Sequence, residues 1–328
     1  MEPVFKYIFA LIVGIMFIIF FIGFAYNYIG TEENKMSLLL TKSFDDQLNI
    51  LSIAQDSVMN YDFGAETALS FNQGALRSGS QNSRKTDNIV YSPVNLKGKE
   101  LIIWTKKWDM PYAVTNFFYM TNKNYKYVLI YDRTSKDFVD LISDPKEEIP
   151  EVFKVVTYDA DKLREQFNDV RSSYSSFTKV KFIYFSEQPS NSLVNSLENI
   201  NNAEVISIIP GDDSWQFGTI DFQADKEAMY IGQPMLLGAI FVDDYSNYLF
   251  NLEKKALPKL KEITEVYINK ASFMSSALQC QEYGLINTQL QYLYNLNEES
   301  EPEEFVKTAN NLENINKEHF GSECPGVF

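Results

Sequence analysis

A single histidine, His319, serves the whole 328-residue chain, and only two cysteines occur, Cys280 and Cys324. A Ser-His-Asp or Cys-His arrangement needs a histidine base, and the one present lies in a Glu-rich tail five residues before Cys324. Nucleophilic catalysis of that kind is therefore not expected. A His-rich metal centre, a four-cysteine zinc site and a c-type haem motif are excluded. Basic residues are scarce as well. The 29 Lys+Arg against 44 Asp+Glu leave a formal charge of −15, the wrong sign for releasing counterions from phosphates along a nucleic acid, so no nucleic-acid partner is expected. The 14 Gly and 11 Pro are too few for a collagen-like or low-complexity chain. No G-x-S-x-G, Walker A or G-x-G-x-x-G pattern is present. The turn after the first expected parallel strand, Tyr158-Asp159-Ala160-Asp161, has no Gly to let the backbone approach a pyrophosphate. No cofactor is expected.

What is abundant is apolar and aromatic, 45% and 15% of residues, which places the chain in the folded class with length for one large or two modest domains. Residues 7–31 carry no charge and centre on IFALIVGIMFIIFFIGFAY, enough at about 1.5 Å per residue to cross a hydrocarbon core of roughly 30 Å. Tyr7 at one end, with Tyr26 and Tyr28 at the other, stand where interfacial aromatics sit. A cleaved signal peptide would have a shorter apolar region, roughly 7 to 15 residues, ending in a small-x-small site. The expectation is an uncleaved single-pass anchor in the cell membrane, touching the lipid bilayer through residues 7–29. Lys6 before the span, with Glu32 and Glu33 after it, favours a cytoplasmic N-terminus and an extracytoplasmic body. About six residues would then stay in the cytoplasm, too few for a signalling module. Ala10 and Gly14 form one small-xxx-small step, a route to self-association through the span.

Beyond the span, residues 31–63 contain neither Pro nor Gly, and Leu40, Phe44, Leu48, Leu51 and Val58 recur at helical spacings. This predicts a nearly continuous helix from about residue 4 to about residue 59, its outer half packed on the body. Residues 77–88 (RSGSQNSRKTDN) are polar turn formers and read as an exposed loop. NIVYS, ELIIW, NFFYM and YKYVLIY then read as strands, with TNKN at 121–124 as a hairpin turn between the last two. Next the period alternates. Strands at 152–158, 180–185 and 204–209 are separated by a helix bearing Leu163, Phe167, Val170 and Tyr174, capped by Asp159 or Asp161, and one bearing Leu193, Leu197 and Ile200. Such β-α-β-α-β order favours a parallel, three-layer core. From Pro234 onward the sequence is mostly helical, with Pro258 expected to break or kink its helix near Ala256. The last 48 residues hold nine Glu against two Lys, a solvated acidic face.

The fold class is thus α+β with a single N-terminal transmembrane helix: an antiparallel β segment, a small parallel β-α-β-α-β core and a helical C-terminal region. Its expected divisions are a 1–30 transmembrane anchor, a 31–62 amphipathic continuation, a 63–233 extracytoplasmic α/β body and a 234–328 helical region.

Chemistry is sparse. Ser-x-x-Lys occurs at Ser143/Lys146 and Ser176/Lys179, as often as chance allows in a chain this rich in both, and is uninformative. Acidic pairs stand at Asp45/Asp46, Asp212/Asp213 and Asp243/Asp244. Only Asp212/Asp213 follows a predicted parallel strand, the end of an open sheet where ligands bind. With Ser186 and Glu187 from the neighbouring strand end, those carboxylates would suit Mg²⁺ or Ca²⁺, although a solvated turn accounts for them equally. The cysteines are expected to form a disulfide, Cys280 to Cys324, closing a loop of about 45 residues and stabilising the tail by roughly 4 kcal/mol on the chain-entropy estimate.

The segments EPVFKYIFALIVGIMFIIFFIGFAY, SPVNLKGKELIIWTKKWDMPY, PMLLGAIFVDDY and ECPGVF resemble a group of single-anchor archaeal membrane proteins of similar length. The likeness covers most of the chain and implies no functional residue. The N-terminal helix also resembles, more loosely, that of type IV pilin-like proteins, half membrane span and half packing surface. Here the run follows Glu2-Pro3, without the Gly or Ala cleavage site or the acid that such proteins carry. The reading is a non-enzymatic envelope protein that binds other envelope proteins, in a surface-appendage or secretion assembly. The alternative is a tethered enzyme or ligand-binding module at the strand ends near Asp212.

Overall fold

A computed structural model describes residues 2–79, 83–146, 148–165, 167–223, 225–278, 282–318 and 324–328, with side chains described for all of these except 2–13, 24–34, 164, 168, 171, 282 and 318. The chain begins with one long helix, α1 (Glu2–Leu51). It ends eight residues before the expected limit near Met59. Asp56 adopts a left-handed φ of 49°, and from Val58 the apolar period changes from helical to two, with Met59, Tyr61 and Phe63 packing on one side. Those residues open β1 (Val58–Asn72). Counting described residues only, no helix is long and apolar enough to cross a membrane. Within the expected span, residues 15–22 are exposed apolar side chains, and residues 7–13 and 24–29 lie outside the described side chains.

The polar stretch at 77–88 does not form a loop. β2 (Ala75–Ser78) and β3 (Ser83–Lys85) pair across it, because Leu76 is buried and Arg84 reaches Asp45 on α1, 2.6 Å away. Residues 80–82 between them are outside the described set. β4 (Ile89–Tyr91), β5 (Asn95–Asp109) and β6 (Ala113–Thr121) complete a first sheet of order β3-β2-β1-β5-β6-β4, antiparallel except for the β4–β6 pair. Alternation along β6 divides two cores. Phe117 and Tyr119 face inward to the main core, Phe118 and Met120 outward, where Phe44 and Leu48 of α1 are fully buried against them and Leu101 and Ile103 of β5.

TNKN at 121–124 is not a hairpin turn. It carries the chain out of the first sheet into β7 (Tyr125–Tyr131), in a second one. The reason is in the strand: Tyr127 and Leu129 bury in the main core, Val128 and Ile130 in a separate cluster behind it, so β7 needs cover on both faces, as central parallel strands do. After α2 (Lys136–Ser143), a 3₁₀ turn (Glu151–Phe153) and a left-handed Lys154 occupy the first half of the expected 152–158 strand, leaving β8 (Val156–Asp159). The next expected helix is two short ones, α3 (Ala160–Glu165) and α4 (Phe167–Ser173), and Asp159 receives the Asp161 amide at 2.9 Å as the cap. β9 (Lys179–Phe185), α5 (Asn191–Glu198) and β10 (Ala203–Pro210) come next as expected, and β11 (Phe217–Asp221) and β12 (Glu227–Ile231) add an antiparallel edge. The second sheet runs β12-β11-β10-β9-β7-β8, with β8, β7, β9 and β10 parallel.

Between the sheets lies α6 (Gln233–Phe241), buried at every residue from 235 to 241. Gly238 is required there, since a Cβ would meet the Tyr91 ring at 2.8 Å. Asp244 caps α7 (Tyr245–Asn251) by accepting from the Asn247 amide at 2.9 Å. Pro258 leaves its helix unbroken. A π-helical turn (Leu252–Ala256) widens the backbone just before α8 (Leu257–Leu278), which accommodates the missing N–H and the ring. The helical region ends with α9 (Glu282–Asn295) and α10 (Pro302–Glu318).

Because the last two turns of α6 are buried, its last carbonyls need a donor from the protein. Lys181 of β9, 3% exposed, provides it, donating to Ala239 O at 2.8 Å and to Val242 O, with Glu204 at 3.1 Å. Burial lowers its pKa, and Glu204 restores part of the loss. Removing the ammonium leaves Glu204 and the carbonyls buried without it. Lys181→Met should cost about 3–5 kcal/mol in urea-induced unfolding of the full chain, and a loss below 1 kcal/mol would show that the cap is dispensable.

Candidate functional site at the strand ends

From β7 the chain crosses to β8 on one side and then returns to β9 on the other, so strand order reverses between β7 and β9. Crevices in open α/β sheets form at the carboxyl ends flanking such a point. Here Asp132 follows β7 and Ser186 follows β9. Ser186 Oγ donates to Asp132 Oδ2 at 2.5 Å. Asp132 Oδ1 accepts from the Thr134 amide at 2.9 Å, Thr134 Oγ1 at 2.7 Å and the Ser135 amide at 3.2 Å. Ser135, fully buried, accepts from the Asp132 amide and donates to Phe185 O at 2.7 Å. A cleft of about 500 Å³ opens beside this knot, lined by Asp132, Thr134, Asp159, Lys162 and Tyr184 among others.

Burial pushes the Asp132 pKa up, but the hydrogen bonds from Ser186, Thr134 and Ser135 outweigh it and hold the carboxyl below its ordinary value. The side chain is thus an ionised clamp joining two strand ends. Its oxygens are occupied by the chain's own donors.

Of the residues singled out in the sequence, Ser186 is buried and committed to Asp132, whereas Glu187 is exposed. Asp212 and Asp213 sit in an exposed turn after β10. Asp212 Oδ1 accepts from the Ser214 amide at 2.9 Å and from Ser214 Oγ at 2.5 Å. That turn delivers Trp215, at a left-handed φ of 55°, into the core, where it stacks on Phe138 at 4.6 Å. Among the described residues, no group of three His, Cys, Asp or Glu stands close enough to hold a metal ion. Cys324 packs on the main core and is not a free thiol, while Cys280 and His319 lie outside the described residues.

Asp132 carries a local sequence signal that an acidic pair does not. An Asp followed at two and three residues by Thr and Ser, directly after an apolar strand, is the pattern of a side-chain-bonded turn.

No family model matches the chain, and comparison with curated proteins and with solved structures finds no match.

Asp132→Ala should destabilise the protein by about 1.5–3 kcal/mol at pH 7, the range for hydrogen bonds to a charged group. A carboxyl whose folded pKa lies below its unfolded value, about 3.9, contributes stability above that value and loses it as pH falls through the folded one. The gap between wild type and variant in urea unfolding should therefore narrow from pH 5 downward. A gap that stays constant to pH 2 would assign the effect to packing.

Proposed function

We propose that the chain is a non-enzymatic, membrane-anchored envelope protein whose extracytoplasmic body binds other proteins as part of a surface assembly. The observation that carries this reading is α1. One unbroken helix joins the uncharged segment, with residues 15–22 exposed, to an outer half held on the body. Phe44 and Leu48 fill the outer core, the Phe44 and Tyr61 rings meet edge to face at 5.2 Å, Asp45 pairs with Arg84, and Ser37 Oγ donates to Ser78 O. A helix fixed at that many points transmits position from bilayer to body instead of tethering it loosely. A ligand-binding module at the strand ends is the second reading, favoured by the crevice at the order reversal. The occupied oxygens of Asp132 leave the scaffold better supported.

Lys6 before the uncharged segment and Glu32 and Glu33 after it set the orientation. Protease added to intact cells should remove the chain from about residue 32 onward, followed by immunoblotting with antibodies to the body. Full protection, with other surface proteins digested, would reverse the topology.

In that compartment Cys280 pairs with Cys324. Support comes from the neighbours: Tyr283, three residues past the first, donates to Pro325 O beside the second at 2.9 Å. Asn316 of α10 further binds the Val327 amide at 2.6 Å and Phe328 O at 2.6 Å. Mass spectrometry of a non-reduced digest from native membranes should recover the two peptides joined. Recovery of both as alkylatable thiols would reject the bond.

A further inference from the structure

A cleft of about 940 Å³ lies away from the strand ends. It opens where the chain leaves α1 and is lined by the β1–β2 turn, the connection from β3 to β4, Lys107 of β5, the start of β6 and the helical stretch from the end of α7 to the start of α8. In a chain of charge −15 its lining is basic: Lys85, Lys107, Lys254, Lys255 and Lys259, against Asp87 and Glu262.

Three of these lysines have carboxylate neighbours, Lys107 with Asp109, Lys254 with Glu253 and Lys259 with Glu262. Such exposed pairs are weak and exchange readily for a better anion. Lys85 and Lys255 make no ion pair among the described residues. Lys255 is the built element. The π-helical turn places it beside Phe250, whose ring centroid is 5.8 Å from Nζ, and Nζ donates to Thr86 O at 3.1 Å and to Asn88 O. An ammonium has three donors; two are taken, and one is left for the cleft. Burial pushes Lys255 down to about 8, with Asp87 and Asp45 drawing it back up, so an anion alongside would restore the proton that burial disfavours.

We propose that this cleft binds a soluble small molecule carrying two or more phosphate charges. Phosphate is favoured over carboxylate by the donor set, since planar carboxylates are matched by the arginine fork and no arginine lines the cleft among the described residues, whereas lysines act on phosphate as point charges. The cleft lies at the outer end of α1, about 20 residues beyond the uncharged segment and so roughly 30 Å along the helix. On the anchored reading, lipid headgroups do not reach it.

The test is calorimetric titration of the full chain in phosphatidylcholine nanodiscs with inorganic pyrophosphate at fixed ionic strength. Saturable binding is expected, weakened at least about tenfold by Lys85→Gln with Lys254→Gln. It should be unchanged by Lys307→Gln with Lys317→Gln, which removes the same charge from α10. Should the first double variant fail to fold, Lys107→Gln with Lys259→Gln makes the same comparison. No saturable heat, or equal weakening by the α10 variant, would overturn the proposal. Loss of binding in nanodiscs containing phosphatidylglycerol would also overturn it, by assigning the cleft to headgroups.

Discussion

The architecture depends on burying one short helix between two sheets. α6 lies between two sheets with its whole last two turns out of water, and every carbonyl there must find a partner or cost the protein a desolvated group. Lys181 closes the C-terminal end. Tyr119 Oη donates to Pro234 O at 2.6 Å near the start, and Tyr248 Oη, from the next helix, to Met235 O at 3.4 Å. Those donors come from β9, β6 and α7, so satisfying α6 fixes how the two sheets face each other. Asp243 extends the arrangement, taking the Val94 amide at 2.6 Å from the connection between β4 and β5 and Lys179 at 3.2 Å from the second sheet.

Layering follows from that centre. Each sheet has a second apolar face, and each needs a further cover. α3, α4 and α5 cover the second sheet through Leu163, Val170, Leu193 and Leu197; the outer half of α1 covers the first. α1 is therefore part of a core as well as a lead-in to the uncharged segment. Truncating it at the base of the body would expose Leu101, Ile103 and Phe118 to water, a reason to expect the body and its mount to fold together.

Much of this was legible in single segments. The parallel core showed because β9 and β10 are short strands rich in apolar residues separated by an amphipathic helix, and Phe44 and Leu48 showed because their spacing is helical. What failed was pairing. A turn such as TNKN looks the same whether the strands it joins lie in one sheet or two, and only the two-sided burial of β7 decides. The 152–158 strand failed in its first half because its apolar residues satisfy a 3₁₀ turn equally well. At the candidate site, Ser186 was placed correctly at a strand end, but its partner Asp132 is 54 residues away in sequence. Nothing local marks Lys181 as a helix cap either, since it reads as one more lysine in an alternating strand.

The lysine cleft shows the same limit in its charge. Summed over the chain, the residues are acidic and argue against phosphate as a partner. Summed over the surface that a ligand touches, they argue for it, because segments distant in sequence, around Lys85, Lys107 and Lys255, bring their cations together. At physiological ionic strength a charge is felt over only about 8 Å, so the acidic tail on α10 does little to a ligand already in the cleft. It acts instead on approach, where the overall field opposes an anion and slows its capture. A protein built this way holds a polyanion by contact and does not gather it from a distance, which suits a ligand present in excess or delivered by a partner more than one scavenged at low concentration.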